Sequence, residues 1–378
     1  MLRALKYCVL GLLLSLTACV EPYAPPVISS PARYLVVDGF INLSGVTVIR
    51  LSRSQSLALT TAPPFEAKAM VSIKDDAGAL YPLAERLPGT YSSQPLALSP
   101  NRRYQLQVST LTGRRYASDL VVAKVAPPID SVTWSVDSKG VQLYVSTHDP
   151  ANATRYYRWK AQETWQYNSA FRSDYEYVNG AMRPRVENIF TCWSTANSTS
   201  IMLGNTQKLS DDVVANAPLH LLPRNSYKLR VKYSLLVQQL AQTAEEYAYW
   251  EMLQKNTESL GTLFDPLPTQ LTGNVHCLDD AGELVLGYVG ATSVTQKRMF
   301  IDRSQLPLGT KYATGYEDCI YQDTIPLRLV NDVFRNPVNV PTYALLDGNF
   351  NPVFYLSSSP DCVDCRRRGT NVKPSFWP

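Results

Sequence analysis

The 378-residue sequence has only three histidines and lacks the short motifs of common enzyme classes. It contains no Gly-x-Ser-x-Gly nucleophile turn, no His-Glu-x-x-His zinc-binding helix and no glycine-rich phosphate loop. Histidine is the side chain best suited to general base catalysis at neutral pH, and His148, His220 and His276 are far apart in the sequence. These absences disfavour the common hydrolases and nucleotide-dependent enzymes, although a catalytic triad can assemble from distant residues.

The sequence also lacks a strong charge of either sign. Its 36 Lys and Arg residues and 32 Asp and Glu residues give a formal net charge of +4. Two of the positive charges, Arg3 and Lys6, lie in an N-terminal segment that resembles a removable signal, so the mature chain is closer to neutral. Nucleic-acid-binding domains usually carry a basic patch, and we therefore expect no nucleic acid partner.

Long apolar runs are absent. A short apolar run lies near the N terminus, at residues 7–16. This run is too short to cross a bilayer as a helix. It follows Arg3 and Lys6 and ends in Leu16-Thr17-Ala18-Cys19, an order that resembles a bacterial lipoprotein signal peptide over residues 1–18. Cys19 is therefore the predicted lipidation site, where several acyl chains would anchor the mature protein in a membrane. The alternative is an ordinary secreted protein with a chance cysteine.

Long helical patterns are almost absent as well, whereas tyrosine (23 residues) and proline (26 residues) are frequent. Short β-branched and aromatic segments separated by turn residues are typical of β-sandwiches. We therefore predict a mainly β protein with a proline-rich tether over residues 19–32. A first domain over 33–125 is expected to be an immunoglobulin-like or transthyretin-like β-sandwich, and a larger second β-rich domain is expected over 126–378.

One helix is predicted within the second domain, at about residues 243–260. Thr243 and Glu246 have the spacing of a capping box, and Gly261 is a typical residue at a helix C terminus. Apolar side chains such as Tyr247 and Trp250 recur at helical spacing. We therefore expect an amphipathic helix that packs across a sheet.

The cysteines predict disulfides that tie down the C-terminal tail. Cys8 would leave with the signal and Cys19 would take the lipid, and the five that remain are Cys192, Cys277, Cys319, Cys362 and Cys365. Disulfides persist in the cell envelope, so we predict that Cys319 pairs with Cys362 or Cys365, with Cys192 as a further candidate. Because five is an odd number, at least one thiol stays unpaired within the chain.

Two other interpretations of the cysteines are weaker. Cys362-Val363-Asp364-Cys365 has the spacing of a thiol–disulfide exchange motif, and the three arginines after it would favour a thiolate. Such motifs usually follow a strand in a βαβ unit, whereas the preceding residues here indicate a loop. His276 and Cys277 could join the C-terminal thiols around zinc, but an oxidising compartment competes for those thiols. We predict no metal and no cofactor.

An aromatic stretch in the second domain is the candidate binding surface. Flat rings with a polar edge suit ligands such as a sugar or a peptide. The alternative is packing of the rings inside a sheet, because alternation sends half of them inward. The candidate binding residues are Tyr157, Trp159, Trp165, Tyr167, Tyr175 and Tyr177.

A series of ordered motifs gives the chain a family resemblance. They lie at residues 35–39, 127–132, 156–159, 163–165, 192–193, 233–234, 248–251, 264–266, 273–274, 286–288 and 362–365. This series resembles the lipoprotein family of Bacteroidetes known as domain of unknown function 4249. The resemblance implies an envelope lipoprotein often encoded beside TonB-dependent outer-membrane receptors, and it carries no catalytic residues.

Together these patterns predict a non-enzymatic lipoprotein of the outer membrane. It would bind a ligand or partner as an accessory to a TonB-dependent nutrient transporter, on a membrane face that the sequence does not assign. The alternative is an envelope enzyme, either a hydrolase or a thiol–disulfide oxidoreductase that uses Cys362 and Cys365.

Overall fold

The structure is a computed structural model that describes residues 33–55, 59–258, 271–319 and 322–378. The predicted signal peptide, Cys19 and the tether up to residue 32 lie outside the described residues. Gly261 and the predicted end of the helix lie outside them too. The described part of the chain is mainly β, as the short alternating segments predict.

The described residues form twenty-six strands and three α-helices, which are joined by loops and short 3-10 turns. The first ten strands are β1 (Leu35–Asn42), β2 (Ser44–Gly45), β3 (Val48–Arg53), β4 (Met70–Asp75), β5 (Leu80–Leu87), β6 (Thr90–Ser92), β7 (Leu96–Ala97), β8 (Arg103–Ser109), β9 (Arg115–Ser118) and β10 (Val121–Lys124). The next nine are β11 (Ile129–Val136), β12 (Gly140–His148), β13 (Tyr156–Asn168), β14 (Tyr175–Val178), β15 (Ala181–Pro184), β16 (Thr191–Asn197), β17 (Met202–Asn205), β18 (Val213–Pro223) and β19 (Lys232–Ala241). The last seven are β20 (Val275–Cys277), β21 (Val285–Leu286), β22 (Ala291–Thr292), β23 (Val294–Asp302), β24 (Asp323–Pro326), β25 (Val340–Leu346) and β26 (Pro352–Ser358), and the helices are α1 (Ala244–Glu258), α2 (Val330–Phe334) and α3 (Pro360–Val363).

The first sheet has eleven strands in the order β10-β22-β1-β3-β6-β5-β4-β8-β9-β20, with β21 beside β1. Strand β10 pairs with both β22 and β8, so the pairing runs round a closed ring. Alternate residues of each strand point inward and bury a core that includes Leu35, Ile49, Tyr91 and Leu106. The first sheet is thus one continuous, closed sheet.

Strands β20, β21 and β22 correct the expected boundary between the domains. They come from residues 275–292, yet they pair with β9, β1 and β10 of the first sheet. Val275, Cys277 and Val289 belong to its core. The first structural unit is therefore not the continuous segment 33–125, because a later part of the chain completes it.

The second structural unit is a β-sandwich of two facing sheets, and we call it the second sandwich. One sheet has the order β11-β12-β18, and the other has the order β16-β13-β19-β23 with β17 beside β13. Their facing side chains share one core, which includes Leu143 and Leu222 from the smaller sheet and Tyr157, Tyr233 and Leu235 from the larger. The second face of the long strand β13 points away from this core.

A smaller C-terminal cluster packs beside the second sandwich. It contains the sheet β24-β26-β25, the hairpin β14-β15 and α2. Ile325, Phe334 and Tyr355 form its core, and Tyr175 and Tyr177 of the hairpin pack against them. The segment expected as one second domain therefore holds two cores.

Helix α1 begins close to its predicted start. The backbone N–H of Glu246 donates to Thr243 Oγ1 at 3.2 Å, which is one half of the predicted capping box. The Glu246 side chain does not complete the box, since its Oε1 accepts a hydrogen bond from Gln242 Nε2 at 3.1 Å. In the described helix the one buried side chain is this acid, and the apolar residues are only half-buried or exposed, so the expected apolar face is not formed.

No helix in the described ranges combines the length and the apolar character that a membrane crossing requires.

Candidate functional site

The predicted aromatic surface is divided between two cores. Tyr157, Trp159, Trp165 and Tyr167 all occupy odd positions of β13, so they point to one face, and that face is the core of the second sandwich. All four rings are buried. They therefore do not form the exposed contact surface that we expected.

The other two predicted rings lie in the C-terminal cluster. Tyr175 and Tyr177 are half-buried on β14. The ring centroids of Tyr175 and Tyr355 are 5.3 Å apart, and those of Tyr177 and Phe334 are 6.4 Å apart. These rings fasten the hairpin to its neighbours, and they do not extend the surface of β13.

Two of the buried rings nevertheless reach a cavity of about 320 Å³. Trp165 and Tyr167 line it from β13, and Tyr227, Tyr316 and Arg368 line it from the segments opposite. We call this cavity the aromatic pocket. The rings of Trp165 and Tyr227 meet edge to face with centroids 6.0 Å apart, and the Arg368 guanidinium lies 3.9 Å from the Tyr316 ring centroid.

Two tyrosines that line the aromatic pocket have neutral, buried hydroxyl groups. The Tyr167 hydroxyl donates to the carbonyl of Cys365 at 2.8 Å. The buried Tyr316 hydroxyl has no hydrogen-bond partner among the described residues. Burial raises the pKa of both tyrosines, so both keep their protons near neutrality.

Two disulfides hold the wall of the aromatic pocket. Cys319 pairs with Cys362, which is one of the two pairings that the sequence left open, and Cys192 pairs with Cys365. Tyr316 lies three residues before Cys319, and Arg368 lies three residues after Cys365. The disulfides therefore fix the loops that carry both side chains.

The remaining thiol, Cys277, is unpaired and buried in the core of the first sheet. It is therefore separated from the C-terminal thiols with which it could have bound zinc. Cys362 and Cys365 do not pair with each other, because each belongs to a different disulfide. In the ranges that the structure describes, no three His, Cys, Asp or Glu side chains gather as metal ligands do.

Each histidine lies beside a carboxylate. His148 Nδ1 is 2.9 Å from Asp130, and His276 Nε2 is 3.2 Å from Asp119, both at the surface. His220 Nε2 is 2.8 Å from Oε1 of Glu163, a buried acid. None of the three lines the aromatic pocket.

Glu163 is a buried acidic residue that the sequence analysis did not identify as a candidate. Its second carboxylate oxygen pairs with Lys228 Nζ. Burial alone would raise the pKa of Glu163, but the hydrogen bonds from His220 and Lys228 outweigh burial and lower it. The signal was its position, because Glu163 has the same parity as Trp159 and Trp165 and therefore shares their inward face.

Comparison with known proteins places the chain in a family. The model of the family described as domain of unknown function (DUF4249) matches residues 20–298. The chain belongs to this family. The match includes Trp165, Tyr167 and Tyr227 of the aromatic pocket, and Tyr316 and Arg368 follow the matched segment.

The other comparisons add little. No curated protein matches the chain. Among solved structures, a segment of two fibronectin type III domains from chicken tenascin is similar to it at 9% identity, over 56% of this chain and 93% of that one, with a TM-score of 0.16.

Proposed function

We propose that this protein is a non-enzymatic lipoprotein of the outer membrane, of the Bacteroidetes type, that binds a ligand as an accessory to a TonB-dependent nutrient transporter. Acylated Cys19 would anchor it, and the tether over residues 19–32 would hold the folded part away from the membrane. The observation that carries the proposal is the aromatic pocket, where four rings and one guanidinium line a cavity of about 320 Å³.

The chemistry of the aromatic pocket suits a sugar or a peptide. Trp and Tyr rings pack against the apolar faces of such ligands, while hydroxyls and guanidinium groups satisfy their oxygens. Three of the four rings, those of Trp165, Tyr167 and Tyr316, are held by core packing, and the two disulfides fasten the adjoining loops, so little ordering would be needed on binding. A preformed pocket of this kind favours a binding role.

We favour binding over the alternative of an envelope enzyme. A hydrolase would need a base beside its substrate, and none of the three histidines lines the aromatic pocket. A thiol oxidoreductase would need Cys362 and Cys365 to exchange one disulfide, and each pairs elsewhere. These placements support a binding role.

A matched pair of tyrosine variants tests the proposal. The mature full chain in mild detergent is titrated with neutral oligosaccharides and with short peptides, and binding is followed by the shift in melting temperature. Tyr227 is 40% exposed and lines the aromatic pocket, whereas Tyr343 is 42% exposed on β25, outside it. We expect one ligand class to bind saturably and Tyr227→Ala to weaken it about tenfold, or about 1.4 kcal/mol.

Tyr343→Ala is expected to bind as the unmodified protein does. The proposal fails if neither ligand class binds saturably, or if both variants weaken binding equally.

A further inference from the structure

A second cavity lies where the first sheet meets the outer face of the second sandwich. Strands β1 and β3 form one wall, β13 and β19 form the other, and α1 closes one end. Its volume is about 380 Å³, and it continues into a further space of about 440 Å³ that shares Asp38, Arg50 and Lys160. We call the two together the junction crevice, which has no lining residue in common with the aromatic pocket.

The junction crevice carries more positive than negative charge on its lining. Arg158 and Lys160 alternate with the inward rings of β13 and therefore project from its outer face. Arg50 reaches in from β3, and its Nη1 lies 3.8 Å from Asp38, the acid among the lining residues. Three cations thus face one carboxylate.

Arg158 is the exceptional group in the junction crevice. It is only 4% exposed, and its Nε has no hydrogen-bond partner. In the described part of the chain it forms no ion pair within 4.0 Å. Its guanidinium lies over the ring of Trp250, with Cζ 3.7 Å from the ring centroid. A buried cation without a hydrogen-bonding partner is costly, so this arrangement needs compensation.

The nearest buried acid does not supply that partner. Glu246 is buried at the start of α1, where Gln242 donates to it and its carboxylate covers Gly290 so closely that a Cβ there would collide with it. Burial raises the pKa of Glu246, although the charge of Arg158 opposes this. Glu246 therefore moderates the field of Arg158 without occupying its hydrogen-bonding edge.

We propose that the junction crevice binds a small polar oxyanion, with Arg158 as the central contact and Lys160 and Arg50 at the rim. A guanidinium edge matches a carboxylate or phosphate group geometrically, and contact with the Trp250 ring holds this guanidinium in place. Gln162, Gln238 and Ser198 line the same space and can bond hydroxyl groups on the remainder of the ligand. This site is independent of the aromatic pocket and of the function proposed for it.

The test uses defined anions and a neutral analogue. The mature full chain is titrated with glucuronate, with inorganic phosphate and with glucose at constant ionic strength, and the melting temperature is recorded. We expect glucuronate or phosphate to raise the melting temperature saturably, and glucose to have no effect. The anion that raises the melting temperature at the lower concentration shows whether the site prefers a carboxylate or a phosphate.

Two variants connect the effect to Arg158. Arg158→Met keeps a side chain of similar length without the charge, and we expect it to weaken anion binding at least about tenfold, or about 1.4 kcal/mol. Arg86→Met is the matched control, because Arg86 is an exposed arginine of the first sheet that does not line the crevice. It is expected to bind like the unmodified protein.

If Arg158→Met does not fold, Lys160→Gln decides the matter, since Lys160 is exposed to the crevice. We expect it to weaken anion binding several-fold. An anion effect that is absent, that does not saturate, or that is equal in all variants overturns the proposal. Binding of a neutral ligand in the aromatic pocket would be unaffected by that result, so the two proposals fail separately.

Discussion

At the residue scale, Glu163 shows how this fold holds a charge inside a β-sandwich. Its carboxylate is reached by His220 from β18 and by Lys228 from the turn before β19. Lys228 also lies over the Trp165 ring, with Nζ 4.7 Å from the centroid. Both partners are partly exposed, so water screens them while the acid itself stays buried.

Replacing this acid should make the stability of the protein less dependent on pH. The hydrogen bonds from His220 and Lys228 lower the pKa of Glu163 in the folded state below its ordinary value of 4.5. The resulting stabilisation is present above the ordinary value and is lost as the pH falls through the folded-state pKa. We expect Glu163→Gln to lose about 1–3 kcal/mol of unfolding free energy at pH 7, with a smaller loss at acidic pH, measured by urea denaturation.

Glu251→Gln is the control, because Glu251 is exposed and pairs with Lys255 on the surface of α1. Its effect should stay within about 0.5 kcal/mol. This account is contradicted if Glu163→Gln does not lower the free energy of unfolding at pH 7, or if the loss becomes larger at acidic pH.

At this scale, the sequence could not predict that the face of β13 with the aromatic rings is the buried one. Alternation shows that Tyr157, Trp159, Trp165 and Tyr167 share one face. It does not show which face is buried, because Arg158 and Glu163 put a charge on each side of the strand. The choice is made by the smaller facing sheet, whose residues are distant in sequence.

At the element scale, helix α1 was predictable and its environment was not. The capping residue Thr243 is local in sequence, and its hydrogen bond to the backbone of Glu246 is present. The burial of Glu246 depends on Gly290 and Gln242, and the contact of Trp250 depends on Arg158. Local periodicity does not contain these tertiary partners.

Strands β20, β21 and β22 of the first sheet could not be predicted from local sequence either. β21 and β22 have two residues each and β20 has three, which is too short for an alternating pattern to be recognised. Their pairing with β1, β9 and β10 joins residues far apart in sequence. A domain boundary drawn from linker composition alone therefore misses them.

The disulfides are the elements that fasten the C-terminal tail. Cys192 and Cys365 are 173 residues apart in the chain, and both are buried. We expect the double variant Cys192→Ala/Cys365→Ala to lose about 2–4 kcal/mol of unfolding free energy, because the unfolded chain gains freedom. Urea denaturation measures the loss.

Cys277→Ala provides the matched control, since it removes a buried thiol that is in no disulfide. It should cost about 1 kcal/mol. A double variant no less stable than Cys277→Ala would show that the Cys192–Cys365 bond contributes nothing to stability.

At the scale of the whole molecule, the chain passes from the first sheet to the second sandwich and back, and then returns to the sandwich. The chain leaves the first sheet after β10, forms the sandwich strands β11–β13 and β16–β19, returns to the first sheet through β20–β22 and then adds β23 to the sandwich. Gln239 Nε2 and Thr295 Oγ1 each donate to the Pro127 carbonyl at 2.8 Å, and the backbone N–H of Ala241 donates to Thr292 Oγ1 at 3.2 Å. The last of these bonds joins β19, in one wall of the junction crevice, to β22, which pairs with β1 of the other wall.

The most direct test of the proposed function is to purify the tagged, lipidated full chain from its own outer membrane in mild detergent and to identify co-purifying proteins by mass spectrometry. We predict recovery of a TonB-dependent receptor at near-equal stoichiometry, and loss of both the receptor and the membrane association in Cys19→Ser. An unrelated tagged lipoprotein from the same membrane controls for receptor abundance. Recovery of the protein alone, or of the same receptor with the control lipoprotein, would contradict the proposal that it serves a transporter.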